Sequence, residues 1–354
     1  MSTDQKIKGR GAQHKPDNRF LKQSISWEEK DGIDEFVHLD APKTEIFYES
    51  PKEVVNKVKS PDVGMEYSLN PYQGCEHGCI YCYARTTHEF WGFNSGLDFE
   101  SKIVVKKNAA AQLERTILKK SWKVKPIVLS GNTDCYQPLE KKLRITRSLL
   151  KVFADYRHPV GIITKNVGFL DDLDLLEDLA SNNLVRVILS ITSLDEELRS
   201  KLEPRTATVA RKLEAIEKLT EKGIPVSVMT APIIPGLNHH EIPEIIKTAA
   251  ERGATNAGYT VVRLNGTIAE VFQKWLKTHF SDRYDKVWNQ ITHLHDGNVN
   301  DSNFGRRMRG AGQEADMIKQ LFDMAIKKYM NGGEKVVLNT KAFRRGGNYK
   351  LFNF

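Results

Sequence analysis

Asn70-Pro71-Tyr72-Gln73-Gly74-Cys75-Glu76-His77-Gly78-Cys79-Ile80-Tyr81-Cys82-Tyr83-Ala84-Arg85 is the stretch from which the rest of the chain can be read. Three of the chain's four cysteines lie inside it, at C-x3-C-x2-C spacing. So tight a loop brings three thiolates onto one small centre. Gly74 and Gly78 let its backbone turn so that N–H groups can point at sulfur. Three thiolates suit zinc or an iron–sulfur cluster. A zinc site would recruit His77 or His88 as fourth ligand, but closed zinc sites usually pair two CxxC knuckles, and this chain has one. Four cysteines in 354 residues are too few for a disulfide scaffold. The fourth, Cys135, reads as a buried free thiol.

Outward from this loop the pattern is regular. Short apolar, β-branched runs recur at Glu66–Leu69, Pro126–Ser130, Pro159–Thr164, Leu184–Ile191, Ile224–Met229 and Ala257–Val262. Each has the length of a buried parallel strand. Helical segments separate them: Asn108–Lys120, Thr146–Tyr156, Asp171–Ala180, Val209–Lys222 and Glu241–Arg252. In Val209–Lys222, Leu213, Ile216 and Leu219 share one face, and Lys and Glu take the other. Gly223 and Gly253 end the last two helices. Six βα units predict an α/β fold, a partial (β/α)6 TIM-like barrel two units short of closure.

Residues 1–60 lack periodicity and read as an irregular N-terminal extension, with a short strand at Glu45–Tyr48. The barrel is expected over residues 61–300. A helical and basic C-terminal region follows over 301–354, the helical pieces being Ile268–Phe280, Arg283–Leu294 and Gln313–Met330. No internal repeat and no low-complexity tract interrupts this order.

Composition bounds the function. Hydrophobic residues make up 40% and charged residues 28%, as in a folded globular chain. Pro225, Pro232 and Pro235 cut the longest apolar stretch, so no membrane span is expected. The polar N-terminus carries no secretory signal, which predicts a cytoplasmic protein. The net charge of +8 is unevenly placed. Residues 303–354 hold eleven Lys and Arg against four acids, a surplus of seven. There Arg306, Arg307 and Arg309 follow Phe304, and Arg344 and Arg345 follow Phe343. With Tyr349, Phe352 and Phe354, this tail could contact phosphates and bases of a nucleic acid. It could equally be solvated charge, or arginines folded back to cap an open barrel.

The cysteine spacing, the aromatic Tyr81 before the last cysteine and the position after the first strand resemble the radical S-adenosylmethionine (radical SAM) enzymes. Gly131-Asn132-Thr133-Asp134, Thr164-Lys165, Glu203-Pro204-Arg205 and Ala231-Pro232-Ile233-Ile234-Pro235-Gly236-Leu237-Asn238 resemble the branch related to spore photoproduct lyase, often labelled DNA repair photolyase-like. The resemblance spans roughly residues 60–310. It implies a [4Fe–4S] cluster on Cys75, Cys79 and Cys82, with the fourth iron chelated by S-adenosylmethionine. It also implies reductive cleavage of that cofactor to a 5′-deoxyadenosyl radical, which abstracts hydrogen from a substrate. The electron would come from a donor such as flavodoxin or ferredoxin.

Ligands of parallel sheets sit at the carboxyl ends of strands. Asn132, Thr133 and Asp134 end the second strand and could hydrogen-bond the cofactor's amino group or ribose. Lys165 ends the third and could pair with its carboxylate. Ser190 and Thr192 share a face at the end of the fourth. Arg205 could hold a carboxylate or phosphate, or pair locally with Glu203. Tyr81 would lie against adenine, and the run Ala231–Asn238 would approach it through its backbone. The hydrogen-donating cysteine of spore photoproduct lyase would fall near Gly131, so Cys135 does not match it. The substrate remains open, with nucleic acid the favoured partner. Two other readings stand beside the enzyme: a nucleic-acid-binding protein with a structural cluster, and a zinc-stabilised interaction protein.

Overall fold

The computed structural model describes residue 7, residues 9–16, 18 and 20, residues 43–330 and residues 336–347. β1 (Glu45–Glu49) and β2 (Val55–Lys57) precede the cysteine loop; β3 (Tyr67–Leu69) leads into it, and β4 (Tyr72–Gln73) opens it. A 3-10 stretch, Tyr83–Trp91, follows, then α1 (Leu97–Ser101), β5 (Lys102–Lys106) and α2 (Ala109–Ile117). The alternating series continues with β6 (Ile127–Leu129), α3 (Glu140–Leu143), α4 (Ile145–Asp155), β7 (Val160–Thr164) and α5 (Leu173–Ala180). Next come β8 (Val185–Ser190), α6 (Glu196–Leu202), α7 (Val209–Glu221), β9 (Val226–Ile233), α8 (Ile242–Glu251) and β10 (Asn256–Val261). Helices α9 (Ile268–His279), α10 (Tyr284–Leu294) and α11 (Gly312–Tyr329) complete the order.

The large sheet runs β10-β9-β8-β7-β6-β3-β2. Strands β3, β6, β7, β8, β9 and β10 are parallel neighbours in sequence order. Only β2 is antiparallel, outside β3. This is the expected partial (β/α)6 barrel. Its outward face carries Ile127, Leu129, Val160, Ile162, Val185, Val187, Leu189, Val226 and Val228, all buried in one apolar core. Leu149, Phe153, Leu176, Leu179, Ile216, Leu219, Ile245 and Ile246 come from the helices to meet them. Each such side chain contributes about 1.5–3 kcal/mol by leaving water. Of the alternate residues, which face inward, Val128 and Gly161 are buried, and Ile163, Arg186, Ile188, Ser227, Met229 and Gly258 are half-buried. The lumen of the barrel is therefore partly accessible.

Local signals set the helix ends. Asp195 caps α6, accepting from the backbone of Glu197 at 2.8 Å and Leu198 at 3.2 Å. Gly223 and Gly253 follow α7 and α8 with positive φ, as the sequence predicts. Two expectations need correcting. β9 runs on to Ile233, so Ala231-Pro232-Ile233 belongs to the strand and not to the loop after it. A second sheet, β1-β5-β4, was not foreseen beyond its first strand.

The last barrel strand does not end the sheet in solvent. Residues 303–310 form a strap along it. Val261 N donates to Met308 O at 3.1 Å, and Arg309 Nη1 to Tyr259 O at 3.1 Å. On its other side the strap meets the β2–β3 connection: Gly305 N donates to Asp62 Oδ1 at 2.5 Å, and Arg307 pairs with Asp62. The strap thus joins the two ends of the open barrel. At the opposite pole, residues 336–347 lie under the strand starts. Asn339 N donates to Asn183 O, Arg344 N to Tyr156 O, and Phe343 packs edge-on against His158.

Of the two readings of the tail arginines, these contacts favour the one in which they fold back onto the barrel over the one in which they contact phosphates. Arg306 pairs with Asp296 and Asp301, Arg307 with Asp62, and Arg309 stacks on Tyr259. Arg345 donates to the carbonyls of Leu118 and Lys119. The described arginines are folded back onto the barrel; Tyr349, Phe352 and Phe354 lie outside the described residues. No described helix is long and apolar enough to cross a membrane.

Candidate active site

The cysteine loop sits where the parallel strands end, and it is tied down on every side. Cys75 N donates to Phe99 O at 2.9 Å, Glu76 N to Gln137 Oε1 at 2.9 Å, and Ile80 N to Leu202 O at 3.0 Å. Arg85, fully buried, reaches Cys79 O with Nε and Nη2 and pairs with Glu100 at 2.6 Å. Glu100 also accepts from the backbone of Gly11 at 3.0 Å and Ala12 at 2.7 Å. Gly11 and Ala12 are thereby held against the loop. Gly78, at φ +69°, is where they meet: a Cβ there would lie 2.9 Å from Glu100 Oε2 and 3.2 Å from Pro204 Cγ. Only glycine fits that crossing without displacement.

Beside the loop lies a buried charge network that sequence reading missed. The Glu203 carboxylate is fully buried, 3.0 Å from Lys165 Nζ and 3.2 Å from Lys212 Nζ. Tyr81 and Thr192 donate their hydroxyl groups to it. Burial disfavours the Glu203 charge, but Lys165 and Lys212 outweigh it and hold the carboxyl well below its usual range. Burial likewise lowers Lys212, and Glu203 does not fully compensate. Burial also works against the charge of Lys165, yet Glu203 raises it above the ordinary lysine value. Lys212 was expected on the polar side of its helix. It instead shares the buried stripe with Ala215, Ile216 and Leu219. The signal was present: Lys212 precedes Ile216 by four residues and Leu219 by seven.

A second anchor is the pair His77–Asp134, with His77 Nδ1 3.4 Å from Asp134 Oδ2. Asp134 also accepts from Thr164 Oγ1, Lys165 N and Tyr136 N, each at 2.8 Å. Burial works against its charge, but His77 and these donors keep the carboxyl below the usual aspartate range.

The expected cofactor-binding residues thus divide. Tyr81, Lys165 and Thr192 are gathered at one place but bound to Glu203. Thr133 donates to Tyr72 O at 2.6 Å, and Asp134 holds His77. Arg205 pairs with Glu76 at 3.2 Å, so the local pair with Glu203 is not formed. Asn132 and Ser190 keep polar atoms free at the strand ends: neither Asn132 Oδ1 nor Ser190 Oγ has a hydrogen bond to a described residue. Cys135 lies apart from the loop, buried in the outward core.

The description of the radical SAM superfamily matches residues 69–249, half of the chain, from β3 through α8. This chain belongs to the radical SAM superfamily. An uncharacterized protein of Methanocaldococcus jannaschii is 31% identical over 248 residues, 70% of this chain and 88% of that one. An uncharacterized protein of Mycobacterium tuberculosis is 33% identical over 228 residues, 64% and 67% of the two chains. Among solved structures, spore photoproduct lyase with bound AdoMet and dinucleoside spore photoproduct superposes with a TM-score of 0.59 at 16% identity. That alignment covers 83% of this chain and 82% of the lyase, and it shows a shared fold. The chain is a radical SAM enzyme whose substrate is unknown.

The residues of this radical SAM enzyme suit an iron–sulfur cluster. Cys75, Cys79 and Cys82 are free thiols at the end of the barrel where the family carries its chemistry. Burial pushes all three up from the ordinary thiol value, and for Cys79 the Glu203 charge adds to it. Such thiols ionise when a metal supplies positive charge. Among the described residues, no three Cys, His, Asp or Glu side chains converge as for a single metal ion. A cluster asks for something else: three sulfurs, each on its own iron. Each histidine that a zinc site could recruit has other neighbours. His77 faces Asp134 and Asn166. His88 packs against Phe93 and Phe99, where burial lowers its pKa to about 4.

Proposed function

We propose that Cys75, Cys79 and Cys82 hold a [4Fe–4S] cluster with one iron open to S-adenosylmethionine, and that the enzyme cleaves this cofactor reductively to start hydrogen abstraction from a substrate. When bound, the cluster and cofactor supply the electron and the radical. The chain's own residues position them. Gly78, Arg85 and Glu100 fix the loop; His77 and Asp134 tie it to the ends of β6 and β7. Glu203 holds Tyr81, Lys165 and Thr192 as one rigid wall beside Cys79. Asn132 and Ser190 offer the uncommitted polar atoms nearest the strand ends, and Tyr81 offers its backbone. Arg205 and Thr133 act through the groups they anchor. A flavodoxin- or ferredoxin-type donor supplies the electron.

The observation that carries this reading is the placement of three free thiols, two buried and Cys82 half-buried, at C-x3-C-x2-C spacing on the loop after the first parallel strand. Nucleic acid is the substrate class the fold's likeness favours, and Tyr83 and Phe304, both more than half exposed, offer rings for stacking. The test is anaerobic reconstitution with iron and sulfide, followed by reduction in the presence of S-adenosylmethionine. Four irons per chain and 5′-deoxyadenosine are expected; a reconstituted cluster that binds the cofactor but never yields 5′-deoxyadenosine refutes the reading.

A further inference from the structure

Arg186 is a half-buried cation with no acid beside it. It is the second residue of β8, between Val185 and Val187, which are fully buried in the outward core. Strand alternation therefore turns Arg186 into the lumen. Its neighbour in register is Gly161 on β7. A Cβ on Gly161 would lie 3.4 Å from Val128 Cγ2 and 3.8 Å from Arg186 Nε, so Val128, Gly161 and Arg186 line one layer of the inner face. Gly161 leaves the room the guanidinium occupies.

Most other enclosed cations have acids, and Arg263, whose Nε is also buried without a partner, has Asp62 and Asp301 in its neighbourhood. Arg85 has Glu100, Arg199 has Glu196, and Lys165 and Lys212 share Glu203. Arg186 has no ion pair or hydrogen bond to any described residue, and its Nε is buried without a partner. Burial alone lowers its pKa, with no carboxylate raising it. The segment beneath the strand starts adds none: residues 336–347 contain Lys341, Arg344 and Arg345 and no acid. An unpaired, partly desolvated guanidinium costs stability until an anion meets it.

We propose that Arg186 forms an oxyanion subsite in the floor of the lumen and anchors a phosphate or carboxylate carried by the substrate. The proposal rests on the barrel mouth being the radical site. Ser190 lies four residues further along the same face, so Arg186 is on the order of 13 Å below the strand ends. That separation assigns it to a remote part of an elongated substrate and not to the cofactor. The intervening wall, Ile163, Ile188 and Met229 with Ser227, is mixed apolar and polar and half-exposed. A planar guanidinium matches both oxyanion types in two-point fashion. Binding energy gathered there would hold the reacting end of the substrate at the mouth.

The experiment compares the wild-type protein with Arg186→Met and Arg186→Lys. Each is titrated with pyrophosphate and, separately, with succinate, at ionic strength matched with potassium chloride, and thermal midpoint and calorimetric affinity are read. Wild type is expected to bind at least one anion about ten- to a hundred-fold more tightly than Arg186→Met, with Arg186→Lys between them. Without added anion, Arg186→Met is expected to be at least as stable as wild type, since a stranded charge has gone. Preference for pyrophosphate assigns a phosphorylated substrate; preference for succinate assigns a carboxylated one. Equal responses of wild type and Arg186→Met to both anions overturn the proposal. So does a large loss of stability in both variants, which marks a structural arginine. Formation of 5′-deoxyadenosine by the wild-type enzyme is scored separately. Its failure would remove the cofactor reading and leave the anion result standing.

Discussion

Replacing Glu203 by Gln keeps the shape of the buried network and removes its only negative charge. Lys165 Nζ at 3.0 Å and Lys212 Nζ at 3.2 Å then face each other without a counter-ion. Removing one partner of a buried ion pair costs about 3–5 kcal/mol, because the remaining charge stays desolvated. At about 2.1 cal/mol/K of unfolding entropy per residue, a chain of 354 residues should lose about 4–7 °C in Tm. Calorimetry of the Glu203→Gln protein measures this directly. Adding Lys212→Met to that variant should recover part of the loss, since it removes the more deeply buried of the stranded charges. The folded pKa of Glu203 is depressed, so its contribution is present above the unfolded value and is lost as pH falls through the lower folded value. The gap between wild type and Glu203→Gln should therefore hold from pH 8 to 5 and narrow only below about pH 4.5. A Glu203→Gln protein as stable as wild type, or a double variant whose losses simply add, would refute the reasoning.

Alanine at Cys75, Cys79 or Cys82 should abolish the cluster's visible absorbance after reconstitution, and Cys135→Ala should keep it; equal loss in Cys135→Ala would contradict the ligand assignment. Gly78→Ala should cost about 1–2 kcal/mol in backbone strain at φ +69° and push aside Glu100 or Pro204. Iron content and the rate of iron release to a chelator report it, and retention equal to wild type counts against the crossing described. Asp62→Ala should speed amide exchange in residues 303–310 while β7 and β8 stay protected. In wild type the Gly305 amide and Arg307 hold Asp62 below its ordinary pKa, so the latch should survive acidification until pH falls through that lowered value.

The barrel was legible because its strands are buried on the outward side and short. Val160–Thr164 and Val185–Ser190 read as apolar runs whose ends the structure moves by one residue or so. β2 was not legible, since Val55-Asn56-Lys57 is too short to carry a pattern and two of its three residues are exposed. The cluster ligands were legible through spacing. The groups that hold them were not: Glu203 reads as a motif residue beside Arg205, and Lys212 and Glu100 look like ordinary helix charges until tertiary packing buries them. The tail stayed open between two readings for a related reason. Net charge says how many arginines there are and nothing about the acids they meet; Arg307 finds Asp62 across 245 residues of chain. Arg186 was overlooked because a strand was read there as a continuous apolar run.

The strap also bears on solubility. β10 is the last strand of the parallel sheet, and its outer rim would otherwise present unpaired amides and carbonyls. Such a rim recruits strands from other molecules. Met308 O takes the Val261 amide and Arg309 takes the Tyr259 carbonyl, so the strap is a gatekeeper against self-association. A chain shortened to end before residue 303 would keep every barrel strand and all three cluster cysteines. It should nevertheless form sheet-rich aggregates, detectable by light scattering and thioflavin fluorescence. The basic residues that first suggested a partner in solution would then have as one task keeping the protein from pairing with itself.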